Sequence, residues 1–130
     1  MNKQSQLVIH ALQEIVSNPR HDEKMIAAYF AASYQQQVDG KCLDYPGFVS
    51  HMALLKTLTR QMEVVLLSVV AERDTVFTHH RVQVEKCDET KSEIEVMARF
   101  TLEADRIIRC VELTRLVSGN KQDHDLGSRS

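Results

Sequence analysis

The sequence predicts an α+β protein. Two observations carry this. Apolar residues recur at three- and four-residue spacing through most of the first sixty positions, the signature of amphipathic helices. Beyond Arg60 the period changes, and long segments alternate apolar with polar residues as strands do. Helices first and a meander of antiparallel strands after them imply a sheet with helices over one face.

Residues 4–17 form the first predicted helix, with Val8, Ala11, Leu12, Ile15 and Val16 on one stripe. Asn18–Pro19 ends it, because a residue before proline avoids the α region. Asp22 can cap a second helix in which Met25, Ile26, Tyr29 and Phe30 share a face. Residues 33–38 lose that spacing and read as extended, and Asp39–Gly40 is a turn pair. Asp44 is a second cap, with Pro46 tolerated in the first turn. Phe48, Met52, Leu55 and Leu58 then line a third helix running to about Thr59.

Residues 62–72, rich in Val and Leu, fit a largely buried strand, and Glu72–Arg73–Asp74 turns the chain. Residues 75–86 alternate, with Val76, Thr78, His80, Val82 and Val84 on one side. Residues 92–103 alternate again, and a break at Ala104–Asp105 leads into the strand 106–117. Residues 118–130 carry Gly, Ser and Asp and are expected outside the core. Antiparallel strands this long bend, and a bent sheet over helices leaves a hollow suited to a small ligand.

With 16 basic and 18 acidic residues interspersed, the chain has no basic face of the kind nucleic acid requires. Nucleic acid is therefore not an expected partner. Cys42, Cys87 and Cys110 are widely spaced and odd in number, and no CxxC occurs, which points to a reducing, cytoplasmic setting. The longest apolar run, Val64 to Ala71, contains Ser68 and is too short to cross a bilayer as a helix, so no membrane partner is expected. GxGxxG, P-loop, HExxH and GxSxG motifs are absent, which argues against dinucleotide, nucleotide-hydrolysing, zincin and α/β-hydrolase chemistry. His79 and His80 point to opposite strand faces and cannot pair on one metal, so no metal site is expected.

Glu112 is the foremost candidate. It shares a face with Ile108, Cys110, Thr114 and Leu116, where desolvation raises a carboxyl pKa toward the range of general acid–base work. A cross-strand pair with Arg99 is the competing reading. His80 lies on the apolar face of its strand, either as a hydrogen-bonded core histidine or as a pocket residue. His51, on the third helix, faces either solvent or the mouth of a cavity. Tyr29 and Tyr34 supply hydroxyl donors or simply pack. Arg99 holds an anionic ligand group if it points inward, although its alternation with Glu93, Glu95 and Thr101 also fits an outward position.

Several stretches carry a family resemblance: Tyr34–Gly40, Phe48–Lys56 and Asp105–Leu113, with Glu112–Gly119 and Asp123–Ser128 closing the chain. They resemble, respectively, the short strand after the second helix, the third helix, the last strand and the C-terminal stretch of the SnoaL-like, or nuclear transport factor two-like, superfamily. The resemblance spans about residues 5–128. The chain is read as a single such domain over residues 1–118, with a C-terminal tail over 119–130 read from its Gly, Ser and Asp content. The resemblance implies a cone-shaped barrel of curved, mostly antiparallel sheet, with three helices on its concave side and a pocket within. Glu112 matches the acidic residue of the family's last strand. The aromatic residue usual before that acid is Val111 here, and the Gly of the family's turn is absent from Ala104–Asp105–Arg106.

By the same resemblance the chain is an uncharacterised SnoaL-like protein. The implied activity is that of a cofactor-free isomerase, cyclase or hydrolase acting on a small apolar or amphipathic molecule. Glu112 would move the proton, His80 and His51 would assist, and Tyr34, Tyr29 and Arg99 would hold the ligand. A non-catalytic ligand binder or dimeric interaction module is the alternative. The family's frequent pairing through the outer sheet face implies a homodimer.

Overall fold

The computed structural model describes residues 2–120, Asp123 and Leu126. Helix α1 (Lys3–Ala11) starts where the Asn2 side chain accepts the Ser5 N–H at 2.8 Å. It runs directly into a π-turn (Leu12–Val16), in which the Ser17 N–H reaches the Leu12 carbonyl at 3.4 Å. Helix α2 (Glu23–Tyr29) is capped by Asp22, which accepts from the amides of Lys24 and Met25. Helix α3 (Tyr45–Leu58) is capped by Asp44 through the Gly47 amide, with Pro46 in its first turn. Among the described residues these three helices pack on one face of a six-stranded sheet.

The strands are β1 (Phe30–Val38), β2 (Lys41–Asp44), β3 (Thr59–Glu72), β4 (Thr75–Lys86), β5 (Lys91–Glu103) and β6 (Arg106–Ser118). Their order is β2-β1-β6-β5-β4-β3, antiparallel throughout except for the parallel pair β1–β6. The cone-shaped barrel is therefore not formed, and the expected architecture is corrected to an open, mixed sheet. Closing a barrel needs a ladder between its two edge strands. Here β2 has only four residues, and among the described residues β3 pairs with no strand but β4, while α1 and the π-turn also pack against it.

Three other expectations change. β1 begins at Phe30, earlier than residue 33, and β2 was not legible at all. β3 is an edge strand and is only partly buried, with Leu67 49% and Val70 68% exposed. Residues 118–130 do not all lie outside the core: Asp123 and Leu126 are buried, and the rest of the Asp123–Ser128 stretch lies outside the described residues. The turn at Ala104–Asp105 is made without glycine, both residues adopting positive φ (50° and 62°).

The core lies between helices and sheet. The rings of Phe30, Tyr34 and Phe48 form its aromatic centre, with centroids 4.7 to 5.0 Å apart. Val8, Ile26, Val76 and Ile107 are fully buried around it. No helix among the described residues is long and apolar enough to cross a membrane.

Candidate functional site

β-Strand alternation decides which side chains meet the helices. In register, Glu112 on β6 lies between Ala98 on β5 and Val38 on β1. His80 on β4 lies opposite Val96 on β5. Both point to the helix-covered face, where α3 brings His51, Met52 and Leu55 and the π-turn brings Leu12 and Val16. Together they enclose a pocket of about 100 Å³ with mostly apolar walls. Its polar groups are Gln36, His51, His80, Glu112 and Thr114.

Glu112 is partly buried, and its carboxyl is pushed up to about 7. Burial is the main cause; the Cys110 thiol opposes it, and the nearby Asp39 carboxylate adds to it. The Cys110 Sγ–H donates to Glu112 Oε1 at 3.3 Å. A carboxyl of this kind exchanges its proton near neutral pH. Burial and the Glu112 carboxylate push the Cys110 thiol itself well up, so it stays protonated.

His80 is 3% exposed, and its Nδ1 lies 3.0 Å from Thr78 Oγ1. Burial, with a smaller contribution from His79, pushes it down to about 4. It is a neutral imidazole at pH 7, able to donate or accept one hydrogen bond. His51 is likewise buried and lines the same pocket. All three catalytic candidates thus meet at one cavity.

The ligand-binding candidates divide. Tyr34 is buried beside the pocket, and its hydroxyl donates to Gln36 Oε1 at 2.9 Å. Burial raises its pKa well above the ordinary phenol value, with Cys110 and Glu112 adding to the shift. Tyr29 packs against the core but is not a pocket residue. Arg99 is exposed on the opposite face of the sheet, in register with Phe77 and Val111. It therefore makes no pair with Glu112, whose recorded partner is a thiol.

Gln36 and Thr114 escaped the sequence reading. Gln36 is the middle of three successive glutamines, and only strand parity with Tyr34 and Val38 marks it as the inward one. Thr114 follows Glu112 at the same parity. Its amide donates to Asp39 Oδ1 at 2.8 Å, and its hydroxyl bonds Oδ2 of the same residue.

No family model matches the chain. An uncharacterized protein of Schizosaccharomyces pombe is 26% identical over 128 residues, covering 98% of each chain. Among solved structures, IdmH, a candidate polyketide cyclase from Streptomyces antibioticus, superposes with a TM-score of 0.75 at 12% identity, over 98% of both chains. An LEH-like epoxide hydrolase of M. tuberculosis superposes with a TM-score of 0.72 at 13% identity, over 96% of this chain and 88% of that one. At such identities the likeness is one of fold. Helices over one face of a mixed sheet, with a pocket between the layers, give this chain the fold of the SnoaL-like, nuclear transport factor two-like superfamily.

Proposed function

We propose that the chain binds a small, mostly apolar molecule in this pocket and moves a proton on it through Glu112. It would act as an isomerase, cyclase or hydrolase that uses no organic cofactor. The supporting observation is a carboxyl that titrates near 7 inside an apolar pocket it shares with two buried imidazoles. Glu112 is the acid–base group. Neutral His80 and His51 orient the substrate or relay the proton. Gln36, with its amide oxygen taken by Tyr34, has its amide N–H groups to offer a carbonyl or a developing oxyanion. The cyclase and epoxide hydrolase names among its structural neighbours make those reaction classes the first to screen.

The decisive variant is Glu112→Gln. Any turnover found in that screen should fall by about 10² to 10⁴. The ionisation near pH 7 should vanish from the pH–rate profile. Full activity in this variant would overturn the assignment.

The opposite sheet face supports a further proposal, that two copies pair through it. Val70, Phe77, Met97 and Leu113 are each at least half exposed there, and together with Ser68, His79 and Arg99 they line a shallow groove of about 480 Å³. The salt-bridged row Arg81–Glu93 and His79–Glu95–Arg115 lies across the same face. Light scattering should give a particle of twice 14.9 kDa. A monomer at micromolar concentration would sink the proposal.

A further inference from the structure

β6 ends at Ser118, and beyond it the described residues Asp123 and Leu126 are buried. Gly119 follows the strand directly. Its φ is +122°, and a Cβ there would stand 2.9 Å from the Ser92 Cα and 2.3 Å from its Oγ, so only glycine passes. Beyond it, the Asp123 amide donates to the Asn120 carbonyl at 2.9 Å and the Leu126 amide to the Asp123 carbonyl at 3.1 Å.

Asp123 is an acidic side chain only 1% exposed. Lys86 Nζ on β4 donates to its Oδ1 at 3.0 Å, and the Ser92 hydroxyl on β5 donates to its Oδ2. An ion pair this deep marks a fixed attachment, because removing either partner strands the other charge away from water. Three residues beyond, Leu126 is 3% exposed and lines the same pocket as Glu112, Val84 and Ile94.

We propose that Leu126 is the specificity-determining wall of the pocket, setting the largest ligand it admits, and that the Asp123–Lys86–Ser92 anchor positions it there. The inference rests on the pocket being a ligand site, but it adds a size limit that the acid–base reading does not contain. Gly119, the two backbone hydrogen bonds, the buried ion pair and the burial of the leucine together hold Leu126 at the pocket. None of them involves Glu112 chemistry.

The test uses two neutral probes of different size, benzyl alcohol and 1-naphthalenemethanol. Each is titrated into the full-length protein while the methyl resonances of Val82, Val84, Ile94 and Val96 are followed. Leu126→Ala should raise affinity for the naphthalene probe about tenfold relative to benzyl alcohol. Asp123→Asn and Lys86→Met should reproduce that change in selectivity, and Lys86→Arg should retain the wild-type ratio. A purely structural tail would lower Tm in these variants and leave the ratio of affinities unchanged, which would overturn the inference. So would a Leu126→Ala protein that folds and binds only the smaller probe. If neither probe moves the pocket methyls in the wild type or in any variant, the pocket reading itself falls. Binding without a size effect removes the wall alone.

Discussion

The fold shifts Glu112 and His80 toward their neutral forms, and this gives stability a definite pH dependence. The Glu112 carboxyl rises from 4.5 to about 7 on folding. Its contribution is fully present below pH 4.5, where both states are protonated, and is lost as pH rises to 7. Glu112→Gln should therefore match the wild type in urea denaturation at pH 4 and exceed it at pH 8. The gain should be about 1–3 kcal/mol, the shift being discounted for partial exposure. Such a cost is what the proton-transfer role proposed for Glu112 requires, and equal stability at pH 8 would count against the buried carboxylate.

His80 behaves in the opposite sense. Its pKa falls from 6.5 to about 4, so its contribution is present above pH 6.5 and lost as pH falls toward 4. The two groups oppose each other in the acid range. His80→Gln should flatten the loss of stability between pH 6.5 and 4 by at most about 3 kcal/mol. Denaturation midpoints at four or five pH values would read this directly. At this scale the sequence was informative about Glu112, because its neighbours at strand parity are Cys110 and Thr114. It was silent on Gln36, since three identical residues carry no parity signal of their own.

Among the elements, α3 was the most legible. Asp44, Pro46 and the spacing of Phe48, Met52 and Leu55 mark its start and its buried face. The π-turn was not legible, because inserting one residue into a helix leaves three- and four-residue spacing nearly intact. Its support comes from across the fold. Lys56 on α3 donates through Nζ to the carbonyls of Ile15 at 2.8 Å, Val16 at 2.7 Å and Asn18. These are the free carbonyls at the end of the first helical segment, where a cation is favourable.

Lys56→Met should therefore lower stability by about 1–3 kcal/mol and speed amide exchange across residues 12–18 more than in β5. Uniform exchange effects, or none, would show that the lysine does not hold the turn. The same contact bears on the pocket, since Leu12 and Val16 of the turn are part of its wall. β2 was missed because Lys-Cys-Leu-Asp has too few apolar residues to alternate, and it exists by pairing with β1 through the Asp39–Gly40 turn.

For the whole molecule, the open sheet leaves two faces with different fates. One is covered by helices and keeps a pocket. The other holds an apolar patch at the centre of β3–β6, flanked by charge. If that patch is where two copies meet, Phe77→Glu or Leu113→Glu should give a 14.9 kDa monomer with unchanged far-ultraviolet circular dichroism. A charged side chain there costs little in a monomer and much in a desolvated interface. A dimer that survives both substitutions would exclude this face as the contact.

By itself, the sequence determined the helical and strand periods, the caps at Asp22 and Asp44, and the two faces of each long strand. These are local properties, fixed by backbone geometry and by side chains a few positions apart. Tertiary structure alone decided that the sheet stays open, that β1 lies parallel to β6, and that Arg99 and Glu112 stand on opposite faces. It also decided that His51, His80, Glu112 and Leu126 line one pocket. Those outcomes depend on pairings between residues far apart in the chain. Hydrogen-bond register and the burial of shared apolar surface fix such pairings, and periodicity cannot express either of them.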